Sequence, residues 1–133
     1  MRVVLDTNVF ISGVFFTGPP YRILQAWRDN TIKIVVSHEI IGEYQRVGEV
    51  LAKQFPGVDL GPILELLAVG AELIVAPGLS EPVCDDPDDD KFLACALASR
   101  TKIIISGDKG LLRVSGYRGI EVLKPRTFVD EYL

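Results

Sequence analysis

Four acidic residues occupy positions where carboxylates can do chemistry: Asp6, Glu43, Asp90 and Asp108. Asp6 directly follows a short apolar run, Asp108 closely follows another, and Asp90 ends an aspartate-rich stretch that covers positions 85–90. Carboxylate oxygens are the ligands that Mg2+ and Mn2+ prefer, and two such ions can activate water and stabilise the leaving oxygen in phosphodiester hydrolysis. These residue types therefore favour a divalent-metal centre.

Taken singly, each of these residues has an ordinary structural explanation. An Asp after a strand is a common turn residue, and a lone Glu such as Glu43 on a helix is usually solvated. Within the aspartate-rich stretch, Asp86, Asp88 and Asp89 are expected to cap a helix and offset its dipole. Asp90 adjoins the apolar segment 92–98 and is expected to turn inward. The chemical interpretation depends on all four residues converging.

The pattern of strands and helices predicts such convergence. Runs rich in β-branched residues predict buried strands at 2–5, 32–36, 73–76, 103–105 and 120–123. Helices are predicted from 18–20, from an N-cap at Ser37, over 60–69, from Asp86 to about residue 100, over 109–113 and after Pro125. This alternation indicates a three-layer α/β/α fold with a mostly parallel sheet of about five strands, whose carboxyl edge carries Asp6 and Asp108.

Composition narrows the class of protein. The chain has 133 residues, 48% of them hydrophobic, which fits one globular domain over 1–133. Its net charge of -4 argues against coating nucleic acid by bulk electrostatics. We expect a cytoplasmic protein, since no signal peptide or membrane-spanning run is apparent. The spacing of Cys84, Cys95 and the single His38 matches neither a zinc site nor a disulfide framework.

The motifs together resemble the PIN-domain nucleases, in particular their single-domain prokaryotic branch, which includes toxins of toxin-antitoxin pairs. The resemblance spans the chain and rests on the segments 4–9, 37–43, 86–94 and 105–112. It implies that Asp6, Glu43, Asp90 and Asp108 are catalytic metal ligands for Mg2+ or Mn2+. It also implies that Asn8 and Ser106 orient ligands or waters. Many members carry an Asp where this chain has Gly110, so a second metal ion is expected to be held weakly or to arrive with substrate.

The predicted activity is hydrolysis of RNA by a metal-dependent endoribonuclease. Arg46, Lys109 and Arg113 are the candidates for positioning RNA phosphates. An antitoxin protein and a homodimer or larger homo-oligomer are the expected protein partners. The alternative function is a non-catalytic RNA-binding or assembly module with the same fold. A haloacid-dehalogenase-like phosphatase is disfavoured because Asn8 stands where that chemistry needs an Asp.

Overall fold

A five-stranded parallel sheet forms the centre of the protein. The computed structural model describes all 133 residues. The strands are β1 (Arg2–Leu5), β2 (Lys33–Val36), β3 (Glu72–Leu73), β4 (Ile103–Ile105) and β5 (Glu121–Leu123). They lie in the order β3-β2-β1-β4-β5, and every neighbouring pair is parallel. The predicted α/β fold class is confirmed.

The first strand of the chain is the central strand of the sheet. Val3, Val4 and Leu5 have no exposed surface, as expected where helices cover a parallel sheet. In the register of β1 with β4, Leu5 lies beside Ile105, and the Asp6 backbone N–H donates to the Ile105 carbonyl at 2.9 Å. Residues that follow these two strands therefore emerge side by side at the carboxyl edge.

Seven α-helices surround the sheet. They are α1 (Thr7–Phe15), α2 (Pro19–Arg28), α3 (His38–Ala52), α4 (Leu60–Gly70), α5 (Asp90–Ser99), α6 (Lys109–Arg113) and α7 (Pro125–Tyr132). The helix α5 packs against β1, β2 and β4, while α1, α2, α3 and α7 pack among themselves. As predicted, Ser37 caps α3, since its Oγ accepts from the Ile40 N–H at 3.4 Å. No helix is both long and apolar enough to cross a membrane.

The helix α1 is absent from the sequence prediction, which placed the first helix near residue 18. Its sequence, TNVFISGVF, is rich in β-branched residues and contains Gly13, so its intrinsic helix propensity is low. Packing of α1 against α2 compensates for this low helix propensity. A Cβ at Gly13 would lie 2.7 Å from both Leu24 Cδ1 and the Pro20 carbonyl oxygen, so the glycine lets α2 approach α1 closely. Tertiary contact therefore overrides the local preference.

Two other predicted elements are corrected. The third strand was predicted over 73–76 but is observed at Glu72–Leu73, because β2 ends at Val36 and offers no further partner. The segment from Asp86 was predicted as one α-helix, whereas it begins with a 3-10 helix over Pro87–Asp89 before α5. The tighter turn changes the direction of the side chains around it.

Candidate active site

Asp6 lies at the centre of the carboxyl edge, directly after β1. Only 5% of the residue is exposed. Its Oδ2 accepts a hydrogen bond from Ser106 Oγ at 2.6 Å. The carbonyl of the preceding Leu5 accepts from the Tyr44 hydroxyl at 2.5 Å, and the Tyr44 ring stacks on Phe10. The carboxylate is therefore held at a fixed position by α1, α3 and the segment after β4.

Ser106 links the ends of β1 and β4. It is fully buried, and its Oγ both donates to Asp6 and accepts from the Asp108 backbone N–H at 3.0 Å. Asp108 is the N-cap of α6, with its Oδ2 accepting from the Leu111 N–H at 3.0 Å. Its exposed position leaves the carboxyl group open to solvent. The serine thus ties the Asp6 carboxylate to the backbone of Asp108, which gives it the geometry of a supporting residue.

The third carboxyl group at this place belongs to Asp89. Burial, the charges on Asp108, Asp6 and Asp86, and a hydrogen bond with Asp108 raise the pKa of Asp89 to about 7. Carboxyl groups influence one another this strongly only at short range. The Asp89 carboxyl group is therefore electrostatically coupled to Asp6 and Asp108.

The side chain of Asp90 has different partners. Its Oδ1 accepts from the Cys84 N–H at 2.8 Å and its Oδ2 accepts from the Val83 N–H at 3.2 Å. Both oxygens are thus engaged by the backbone of the loop before the 3-10 helix. The sequence analysis expected Asp90 to face inward and Asp89 to serve only the helix terminus, whereas in the structure both Asp90 oxygens accept from backbone N–H groups and the charge of Asp89 is coupled to Asp6 and Asp108. The physical reason is the 3-10 turn, which rotates successive side chains further than an α-helix does. The role of Asp90 as a metal ligand stays a prediction.

Glu43 approaches the same edge from α3. Its carboxylate forms an ion pair with Lys91, and the ammonium of Lys91 also lies 3.0 Å from Asp88. The charge of Glu43 reaches Asp6, where burial, Asp108 and Glu43 raise the pKa of the carboxyl group and the Ser106 hydrogen bond opposes the rise. The charges of two other predicted ligands, Glu43 and Asp108, therefore both act on the Asp6 carboxyl group.

The fit of this edge to a divalent cation follows from its donors. No group of three or more His, Cys, Asp or Glu side chains is already arranged to hold a metal ion. Burial, together with the charges of neighbouring carboxyl groups, nevertheless raises the pKa values of Asp6 and Asp89, and a cation would relieve the repulsion between these charges. The buried Thr7 Oγ1 beside them has no hydrogen-bond partner. Oxygen ligands whose negative charge is not compensated by a neighbouring cation suit Mg2+ or Mn2+.

The other predicted site residues lie around this edge. Asn8 is exposed in the first turn of α1, and Lys109 is exposed in the first turn of α6. Arg113 forms an ion pair with Asp85. The guanidinium of Arg46 lies over Gly42, where a Cβ would be 3.4 Å from Nη1. Arg46 also lines an open cavity of about 340 Å³ together with Glu39, Pro87, Asp88 and Lys91.

The cysteines offer no alternative nucleophile. Burial raises the pKa of Cys84 to about 12, with Asp90 adding to the effect, and burial likewise raises the pKa of Cys95 to about 12. A thiol with such a pKa carries almost no thiolate at neutral pH. His38 is exposed at the start of α3. The chemistry available at this edge is therefore that of carboxylates and the groups they bind.

Comparison with known proteins identifies the family of the chain. Residues 2–110 match the PIN domain family. An uncharacterised protein of Methanocaldococcus jannaschii is 31% identical over 146 aligned positions, which cover 99% of this chain and 92% of that protein. PIN domains have a nuclease-type fold and generally use divalent metal ions. The matched segment includes β1, β4 and the residues that carry the acidic site, so this chain belongs to the PIN domain family.

Proposed function

We propose that the protein is a Mg2+- or Mn2+-dependent endoribonuclease that hydrolyses phosphodiester bonds. The observation that carries this proposal is the hydrogen-bonded link from Asp6 through Ser106 to Asp108 at the carboxyl edge of a parallel sheet, with the charges of Asp6 and Asp108 also acting on Asp89. Ligands of such folds bind at this edge. Family membership supports the nuclease class, and the carboxylate chemistry supports the use of a metal.

The proposed ligands are Asp6, Asp89 and Asp108, with Glu43 completing the set. A bound divalent ion would activate water and stabilise developing charge on the phosphate oxygens. Ser106 keeps Asp6 and Asp108 in register through its two hydrogen bonds. Asp90, named as a ligand from the sequence, is assigned instead to holding the backbone of residues 83–84.

Position 110, where many family members carry a further Asp, is a glycine in this chain. A Cβ at this position would lie 3.0 Å from Asp108 Oδ2, the oxygen that caps α6. A side chain there would crowd the carboxylate in its present orientation. We therefore propose one protein-held metal ion, with any second ion entering together with the substrate.

Arg46 and Lys109 are the proposed phosphate-positioning residues. Both are exposed and flank the acidic edge, Arg46 from α3 and Lys109 from the residue after Asp108. Arg113 is less available because it pairs with Asp85. A net charge of -4 makes such local contacts the main protein contribution to attracting a polyanion.

The deciding experiment measures cleavage of a labelled single-stranded RNA by the purified protein with Mn2+, with Mg2+ and with EDTA. We expect cleavage that requires metal and is lost in Asp6→Asn and Asp108→Asn, while both variants remain folded by circular dichroism. Glu121→Gln, at an exposed position on β5, serves as the matched control for loss of one carboxylate.

The alternative function, a non-catalytic RNA-binding module, predicts a different result in the same experiment. Metal-independent RNA binding without cleavage in either metal would favour it over the proposed nuclease. Cleavage that survives Asp6→Asn would also contradict the proposal, because the most buried carboxylate of the site would then have no role.

We also propose that the protein self-associates. Val69 and Val75 are 87% and 84% exposed, and Leu73 on the edge strand β3 is 49% exposed. Val69 lies in the last turn of α4 and Val75 follows β3 closely, and exposed apolar side chains on or near an edge strand are typical of contact surfaces. Light scattering at micromolar concentration should give at least a dimer mass, and a monomer would contradict the proposal.

A toxin role with an antitoxin partner is proposed on the resemblance alone, and co-purification with the product of an adjacent gene would test it.

A further inference from the structure

Lys91 is the one basic side chain that forms an ion pair with a proposed metal ligand. It belongs to the first turn of α5, and its ammonium pairs with Glu43 on α3 and with Asp88 in the 3-10 helix. Both members of the Lys91–Glu43 pair are largely buried, with side chains 13% and 18% exposed. The Glu43 oxygen that faces the ammonium is buried and accepts no hydrogen bond from any other group. Lys91 therefore supplies the only compensation for that oxygen.

This arrangement keeps Lys91 charged. Burial acts to lower the pKa of Lys91, but the hydrogen bonds and charges of Glu43 and Asp88 outweigh it, so the pKa lies above its usual value of 10.5. A permanent positive charge thus stands beside an edge whose other members are carboxylates. Through its contacts with Glu43 and Asp88, Lys91 also connects α3 to the 3-10 helix, the segment that carries Asp89.

A divalent cation that uses Glu43 must compete with this ammonium. The ammonium contacts one of the two Glu43 oxygens, and a divalent cation held by either oxygen would lie close to it, where two cations repel each other in a partly buried site. We propose that Lys91 is an internal counter-cation that holds Glu43 in the metal-free protein and is displaced from it when the metal ion binds. The inference rests on the proposed function, since it assigns a competitor to the proposed metal ligand Glu43.

If Lys91 is displaced, the measured metal affinity includes the free-energy cost of breaking the Lys91–Glu43 ion pair. Removing the ammonium while keeping an apolar stem of similar length frees Glu43 for the metal. It also leaves that carboxylate uncompensated in the metal-free protein. Lys91→Met should therefore bind metal more tightly and be less stable without it, whereas loss of a metal ligand would weaken binding. These opposite signs separate a competing residue from a ligand and from a merely structural one.

The experiment is a calorimetric titration of Mn2+ into EDTA-treated and desalted protein, without RNA. We expect the Kd of Lys91→Met to be about fivefold lower than that of the wild type, which corresponds to about 1 kcal/mol. Lys102→Met is the control for the same change in net charge. Lys102 is exposed before β4, at the opposite end of that strand from the site. Its Kd should stay within about twofold of the wild type.

A second pair of variants tests whether the effect of Lys91 on metal binding depends on Glu43. In a Glu43→Gln background the ammonium has no carboxylate to release, so adding Lys91→Met should no longer tighten binding. Melting temperatures without metal should fall for Lys91→Met and for Lys91→Gln but not for Lys102→Met. The Lys91→Gln variant provides a second titration if Lys91→Met does not fold.

Three results would overturn the inference. These are a Kd for Lys91→Met equal to or higher than that of Lys102→Met, a tightening that persists in the Glu43→Gln background, and an unchanged metal-free melting temperature. If neither the wild type nor any variant bound Mn2+, the result would instead contradict the metal site itself and the proposed function with it. The two failures are therefore distinguishable.

Discussion

The carboxyl group of Asp89 lies against that of Asp108, the residue that caps α6. This contact joins the 3-10 helix to the segment after β4, and it brings like charges together instead of a charge and its counterion. Burial and the neighbouring carboxylates hold the pKa of Asp89 at about 7. An arrangement of this kind destabilises the folded chain unless a cation is present, and folded proteins keep such strain mainly at functional sites.

Asp89 and Asp90 should respond oppositely to the same substitution. Asp89→Asn should abolish metal-dependent RNA cleavage, with unchanged or higher stability without metal, because one of the repelling charges is removed. Asp90→Asn should cost about 1–3 kcal/mol, because an amide nitrogen would then face one of the two N–H donors of residues 83–84. Urea denaturation and cleavage rates of both variants provide the measurement. An inactive Asp90→Asn of full stability beside an active Asp89→Asn would contradict this assignment.

The metal-free protein should lose stability as pH rises from about 4 to about 7. The pKa of Asp89 is about 7 in the folded chain and 3.8 for an ordinary Asp, so the folded state binds more protons than the unfolded state between these values. The free energy of unfolding then decreases with pH across this window. Saturating Mn2+ should suppress the decrease, because a bound cation keeps the carboxylates ionised.

The measurement for this pH dependence is urea denaturation at a series of pH values, with EDTA and with Mn2+. Asp89→Asn removes the group responsible and should flatten the curve obtained in EDTA. A stability that increases with pH over the same window would show that Asp89 has an ordinary or lowered pKa in the folded protein.

Removal of the Ser106 hydroxyl should affect both stability and metal binding. Ser106→Ala leaves Asp6 without its donor and the Asp108 N–H without its acceptor, at an expected cost of about 1–3 kcal/mol. Mn2+ affinity should fall as well, because the pKa of Asp6 rises further. Ser99→Ala is a matched control, since the Ser99 hydroxyl is also buried but bonds to Cys95 and Thr101. It should lower stability and leave Mn2+ affinity unchanged.

Asp86 should be needed for stability and not for catalysis. Its Oδ1 accepts from the Asp88 N–H at 2.9 Å as the N-cap of the 3-10 helix. Asp86→Ala should therefore cost about 1 kcal/mol, with cleavage retained at a measurable rate. Loss of all cleavage in a fully folded Asp86→Ala would place this residue among the ligands.

Much of the site could be predicted because strand ends are easy to recognise. Asp6 and Ser106 directly follow short apolar runs, Asp108 lies two residues after Ser106, and parallel strands bring such positions to one edge. The choice between Asp89 and Asp90 could not be made in the same way. It depends on whether the first turn after Asp86 is α or 3-10, a difference of about 20° for each residue that composition does not encode.

Two further features escaped prediction for other physical reasons. The helix α1 exists because Gly13 permits a close contact with α2, and a single sequence does not reveal that contact. The ion pair of Lys91 with Glu43 joins two helices that are far apart in the sequence, so no short sequence pattern predicts it. A signal was nevertheless present for Lys91, which is a single basic residue between the aspartate-rich stretch 85–90 and the apolar segment 92–98.

The central position of β1 also affects how the protein is made. Asp6 leaves the ribosome early, but β1 gains its second neighbour only when residues 103–105 emerge, and Asp108 follows them. At roughly 5–20 residues per second, the nascent chain spends seconds with an incomplete sheet. During that time the carboxylates of the proposed site are not assembled. A nuclease with this strand order therefore has no working site through most of its synthesis, while it is still tethered to the messenger RNA that encodes it.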